Sequence, residues 1–252
     1  MNRALVAAAL LAAACRGYDT PSSPGTAPSP LPPSPAPPGQ VRVLMVTATA
    51  GFRHDSIGDA RAAIGALGSG IQVSATEDLA ALSAASLADF EVVFFALTSG
   101  ELPLTADQKA ALLNFVANGG GFLGAHSATD TLYEWPDYGA LVGAYFREHP
   151  WTQPGAVVVE NASHPANAGL ESRVILNEEF YTFRDNPRPR VEVLLRLDSA
   201  SVGASGDVPL AWAKAHGRGR VYYNALGHFG ETWRNPQVQR QWRNAILWAA
   251  RR

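Results

Sequence analysis

The sequence predicts an α/β domain on a mostly parallel β-sheet, and three observations carry that prediction. Val41 to Val46 and Phe90 to Leu97 are near-continuous apolar runs, the pattern of strands buried on both faces of a parallel sheet. Segments with apolar residues at helical spacing alternate with such runs, which implies right-handed crossovers. The third is the stretch Gly119 to Ser127. It reads as a helix end, a glycine break, a short buried strand and a histidine, His126, at the strand's end. In open α/β sheets ligands bind at the carboxyl ends of strands, so this histidine is aimed at a pocket.

The elements follow in order. After the strand Val41–Val46, Asp55 or Ser56 is placed to cap a helix bearing Ile57, Ala60, Ile64 and Leu67, and Gly68 and Gly70 end it. Ile71 to Val73 is the second strand, Asp78 to Leu87 a short helical stretch, and Phe90 to Leu97 the third strand. Thr105 opens the clearest helix, with Gln108 completing a capping box and Leu112, Leu113, Phe115 and Val116 as its buried face. The elbow strand follows. The second half is less regular: Ala156–Glu160, Val191–Leu195, Pro209–Ala213 and Gly219–Leu226 read as strands. Pro236 to Ala250 reads as a closing amphipathic helix.

The first 40 residues stand apart. Arg3 and the apolar run Ala4 to Ala14 suit an export signal; 11 apolar residues fall short of a membrane span, which needs roughly 20. Residues 1–15 end in Leu11-Ala12-Ala13-Ala14-Cys15, similar to a bacterial lipobox, so lipidation of Cys15 is expected. Residues 16–40 hold nine prolines and almost no apolar side chains, the composition of a disordered, extended linker. At about 3.1 Å per residue it could reach roughly 70 Å. The expectation is an exported cell-envelope lipoprotein, periplasmic or attached to the outer membrane, touching the membrane only through that anchor.

The domain, residues 41–252, carries 18 basic and 21 acidic residues once Arg3, Arg16 and Asp19 are set aside, a formal charge of −3. No basic face is announced in the sequence, and nucleic acid is not an expected partner. With no cysteine after Cys15, the domain has no disulfide framework, no Cys-type zinc site and no thiol nucleophile. His54, His126 and His228 each follow a predicted strand, so all three should meet on one rim of the sheet.

Gly51-Phe52-Arg53-His54, the elbow from Gly119 to His126, Asn177 to Tyr181, and Gly219 to Tyr223 leading to His228 and Trp233 together resemble the ThuA-like (trehalose-utilisation) family over residues 41–252. The resemblance implies the class I glutamine amidotransferase-like fold, a flavodoxin-like three-layer sandwich. In that group a cysteine stands at the elbow and a histidine follows a late strand. Here His126 holds the cysteine's place and His228 the partner's. Thioester chemistry needs a thiolate, so glutaminase and cysteine-peptidase activities are excluded. Ser127, one residue out of place, is not expected to substitute.

Two chemistries remain open for these histidines. One is acid–base catalysis by His126 and His228, with Glu179 and Asp130 orienting or sharing the proton transfer. The other is a divalent metal such as zinc, held by neutral histidines and a carboxylate. Arg53, His54, Tyr181 and Trp233 are candidate pocket-lining residues. The loop aromatics Tyr133, Trp135, Tyr138 and Trp151 are further candidates for stacking on sugar rings. The expected function is action on a sugar or an oxidised (keto) glycoside, by hydrolysis, elimination or isomerisation. The alternatives are a non-catalytic carbohydrate-binding domain and a cell-surface interaction module on the same scaffold.

Overall fold

The computed structural model describes residues 39–252. The signal segment, Cys15 and nearly all of the linker lie outside these residues. Nine strands form one sheet: β1 (Val41–Val46), β2 (Ile71–Thr76), β3 (Val92–Ala96), β4 (Gly121–Ala125), β5 (Phe146–Val159), β6 (Arg173–Phe183), β7 (Glu192–Asp198), β8 (Pro209–His216) and β9 (Gly219–Asn224). The helices are α1 (Ile57–Gly65), α2 (Ala84–Leu87), α3 (Ala106–Ala117), α4 (Pro136–Val142), α5 (Gly230–Arg234) and α6 (Pro236–Ala249). The strand order is β2-β1-β3-β4-β9-β8-β7-β5-β6. Its first five members are parallel neighbours in the 2-1-3-4-5 arrangement of flavodoxin-like sheets. The remaining four extend the sheet by antiparallel pairing.

Alternation along β3 shows the three layers. Phe94 packs against Trp242 of α6, whereas its neighbour Phe95 meets Phe122 and Tyr138 of α4. Successive strand residues point to opposite faces, so α6 and α4 cover opposite sides of the sheet. Each of these rings is fully buried, and burying such a side chain is worth roughly 1.5–3 kcal/mol. On the α6 side α1 and α5 pack with it, and α2 packs with α3.

Most of the expected elements form. The capping box at Thr105 and Gln108 is present in both directions, with hydrogen bonds of 3.2 and 2.8 Å. Ser56 departs from its expected role: it makes no side-chain cap, and its hydroxyl instead donates to the Gly227 carbonyl at 2.8 Å. That bond ties the loop after β1 to the loop after β9. Four elements were not anticipated. Helices α4 and α5, the first ten residues of β5 and the whole of β6 lie in the less regular second half. Among the described residues no helix is long and apolar enough to cross a membrane.

Candidate functional site

Four side chains from four separate segments meet at the carboxyl end of the parallel half of the sheet. His54 follows β1, His126 follows β4, His228 follows β9, and Glu179 comes from β6. One ligand-type atom from each lies within 4.8 Å of all the others. The elbow backbone holds His126 at φ 48°, in the left-handed region that a non-glycine residue adopts only when its surroundings impose it. The sharp strand-to-helix elbow is therefore present, with an imidazole where such elbows usually carry a nucleophile.

Each ring is oriented from behind. Nδ1 of His126 lies 2.7 Å from the Ala225 carbonyl, which can only accept, so the proton sits on Nδ1 and the Nε2 lone pair faces the cluster. Nε2 is 3.4 Å from Oε2 of Glu179, and His228 Nδ1 is 3.1 Å from the same oxygen. Both nitrogens are buried, yet neither makes an aligned hydrogen bond. These nitrogens and the carboxylate thus crowd together without pairing. His54 packs edge-on against both other rings, with centroids 4.7 and 5.2 Å away.

The electrostatics favour a cation at that centre. Burial, reinforced by the neighbouring imidazoles, pushes the His54 pKa down to about 3, so this ring is neutral at physiological pH. Burial alone would raise the Glu179 carboxyl, but the adjacent His126 and His228 rings outweigh it and hold the group well below the usual carboxylate range. The neighbouring Glu179 carboxylate raises His228. A neutral His54, the Nε2 lone pair of His126 and an ionised carboxylate are donors of the type that zinc and similar divalent ions take.

A second carboxylate, Glu178, lies wholly buried behind the first. It accepts hydrogen bonds from the backbone N–H groups of Gly227 (3.0 Å), His228 (3.2 Å) and Glu179 (3.0 Å). The Gly227 carbonyl in turn accepts from Ser56 and from Nε1 of Trp233, both at 2.8 Å. The turn that presents His228 is thus gripped from both sides. On the open side, Nδ1 of the half-exposed His149 reaches Oε1 of Glu179 at 3.3 Å.

The structure brings His54, His126, His228 and Glu179 together and separates the other candidates from them. Trp233, expected to line the pocket, is 1% exposed and supports the Gly227 turn from beneath. Tyr181 is buried too, its ring packed against His126 at 4.2 Å, so it is a backing and not a wall open to ligand. Arg53 turns to the surface and pairs with Glu77 at 2.8 Å. Trp135 and Tyr138 belong to the core, and Ser127 is fully buried. Asp130 is half-buried at the elbow, where it accepts from the Tyr133 hydroxyl at 2.7 Å, and burial raises its carboxyl. His149 and Glu178 were missed as site residues. Glu178 stands in the Asn177–Tyr181 motif, but nothing in the sequence distinguishes its role from that of Glu179.

The three-layer α/β sheet that carries this imidazole elbow and carboxylate-centred histidine cluster has an amidotransferase-like fold. The chain belongs to the ThuA family, described as trehalose utilisation, whose model matches residues 42–249. A ThuA-like protein of Bacteroides uniformis ATCC 8492 is 23% identical with a TM-score of 0.70, covering 86% of this chain and 94% of that one. A ThuA-like protein of Parabacteroides merdae ATCC 43184 is 17% identical with a TM-score of 0.68, covering 84% and 90%. A GMP synthase component of Thermoplasma acidophilum is 13% identical with a TM-score of 0.53, covering 82% and 92%. At these identities the likeness is one of fold. No curated protein matches the chain.

Proposed function

We propose that this protein is a metal-dependent enzyme acting on a sugar or keto-glycoside, with His54, His126, His228 and Glu179 as the ligands of one divalent cation of the zinc class. The observation that carries this reading is the pair of buried, unpartnered nitrogens, His126 Nε2 and His228 Nδ1, converging with a carboxylate within 4.8 Å. A buried polar atom without a partner costs roughly 1–3 kcal/mol, and two in one cluster call for a missing partner. When bound, such an ion would polarise a carbonyl or hydroxyl oxygen of the substrate.

The chain's own groups divide the remaining work. His126 is fully buried, which suits a ligand better than the acid–base role expected of it. His149, on the open side, and Asp130, with its raised carboxyl, are the accessible groups that can take up and return a proton. Glu178 and the Ala225 carbonyl hold the ligating rings in place, as supporting partners do in histidine metal sites. Family membership in trehalose utilisation supports a carbohydrate substrate, and the absence of a thiol in the domain rules out the amidotransferase reaction. We further propose that the chain is exported and lipidated at Cys15.

The test is metal analysis of the purified full chain, followed by assays on disaccharides and their 3-keto derivatives. The expected result is about one divalent ion per chain. Turnover should fall at least ~100-fold in His126→Ala and in the chelator-treated parent, and added zinc should restore it only in the parent. Sugar binding without turnover in the metal-loaded parent would favour the carbohydrate-binding alternative.

A further inference from the structure

The opposite end of the sheet carries a feature that the histidine site does not explain. Strands β1, β3, β4 and β9 all begin there, with Val92 beside Gly121 and Gly121 beside Arg220 in the ladder. Two open concavities of about 500 and 670 Å³ adjoin at this end and share Ala215 and Arg220. Arg190, Lys214 and Arg220 line the first; Arg218, Arg220 and Arg251 line the second.

Among the described residues none of these five cations has a carboxylate within salt-bridge distance. Neutral oxygens hold them instead. Arg218 donates to the side-chain and main-chain oxygens of Asn118 at 3.1 and 3.3 Å. Arg220 donates to the Trp248 carbonyl at 2.6 Å and lies over the Trp248 ring. Lys214 donates to Ala140 O and Arg251 to Arg218 O. Burial, with Arg190 and Arg251 as the nearest like charges, lowers the pKa values of Lys214 and Arg220. Of the acids nearby, Glu91 pairs with Arg42, and Glu192, the one carboxylate lining the first concavity, accepts from the neutral Asn161 amide. Elsewhere on the domain arginines 42, 53, 61, 173, 188 and 234 meet carboxylates. Five cations against one lining carboxylate leave a net positive charge that repels itself, and an anionic partner relieves that cost.

We propose that this basic end is a docking surface for anionic lipid headgroups, which turns the histidine site away from the membrane. Three features favour a lipid layer over a single soluble anion. The two concavities are open and adjoining, so several headgroups can be met at once. The half-buried Trp248 ring lies among the cations, an amphipathic group suited to a membrane–water boundary. The chain also enters β1 at this end, roughly 15 Å from β9 at three strand spacings.

The test is vesicle co-sedimentation of the full chain carrying Cys15→Ser, so that no acyl chain contributes. Vesicles of phosphatidylglycerol and phosphatidylcholine are compared with phosphatidylcholine alone, at low and high salt. Binding should require phosphatidylglycerol and weaken with salt. A basic residue near an anionic bilayer contributes roughly fivefold in partition, so Arg218→Glu/Arg251→Glu should bind at least ~20-fold more weakly. Both residues are exposed, and Arg218→Gln/Arg251→Gln, which removes charge without adding any, should fall in the same direction. Arg53→Glu/Arg147→Glu, away from the basic end, should keep most of the binding. Equal binding to both vesicle types, no binding, an equal loss in the control pair, or saturation by free glycerol phosphate without vesicle binding would each overturn the proposal.

Discussion

At the scale of single residues, the site is built on a sharp elbow after β4 that carries an imidazole. His126 keeps a positive φ and a buried position, but its ring is fixed by the Ala225 carbonyl and faces Glu179. The residue that sets this arrangement most directly is Glu178. Its two carboxylate oxygens accept three main-chain N–H groups, and it is wholly buried. Glu178→Gln keeps the shape but turns an amide N–H₂ toward one of those donors. Replacing a charged acceptor by an opposed donor should cost roughly 2–3 kcal/mol of unfolding free energy. Urea unfolding of the metal-free protein measures this. The same variant should also bind zinc at least ~10-fold more weakly, because the His228 turn loosens. A variant matching the parent in both would show that Glu178 is not the grip on that turn.

At the scale of elements, what could be read from the sequence was what local chemistry dictates. Continuous apolar runs marked β1 and β3, reciprocal capping marked α3, and the position of three histidines after strands marked the rim. Most of β5 escaped because Glu148, His149, Pro150, Gln153 and Pro154 break every strand pattern, and β6 because Asn177-Glu178-Glu179 interrupts its apolar residues; the two strands are held by pairing with each other. Glu179 was grouped with His126 and His228 although β6 lies four strands from β9 in the sheet order, whereas its contact with His149 depends on the β5–β6 pairing and left no mark in the sequence. Another tertiary contact fixes the His54 loop. Gly100 has φ +71°, and a Cβ there would lie 2.5 Å from the Gly51 nitrogen. Ser99 donates to the Phe52 carbonyl at 2.6 Å, so the loops after β1 and β3 lie against each other. Gly100→Ala combines backbone strain with a main-chain collision, and a loss of roughly 2–3 kcal/mol in thermal or chemical unfolding is expected. Because the displaced loop carries His54, zinc affinity should fall in the folded variant as well; unchanged affinity would mean that the loop adapts without moving its ligand.

At the scale of the whole molecule, the parallel half of the sheet gives the domain two unlike ends: an acid-centred histidine cluster where the strands finish, and unpaired cations where they start. The first end joins segments that are remote in sequence, since His54 and His228 are 174 residues apart and meet with ring centroids 5.2 Å from each other. A cation bound there cross-links the β1, β4, β6 and β9 segments in the folded chain, while the unfolded chain offers no such convergence. Binding must then raise stability by about 2.7 kcal/mol at a free-ion concentration 100 times the dissociation constant. For a domain of this size each kcal/mol shifts the melting temperature by about 2–4 °C, so zinc should raise it by roughly 5–10 °C and a chelator should reverse the shift. His126→Ala and Glu179→Ala remove a ligand each and should melt at one temperature with or without zinc. Differential scanning calorimetry at several zinc concentrations measures this, because linkage requires the shift to grow with the logarithm of free ion. An increase that saturates at once, or that survives in both ligand variants, would assign the stabilisation to surface binding and remove the cation from the centre of the site.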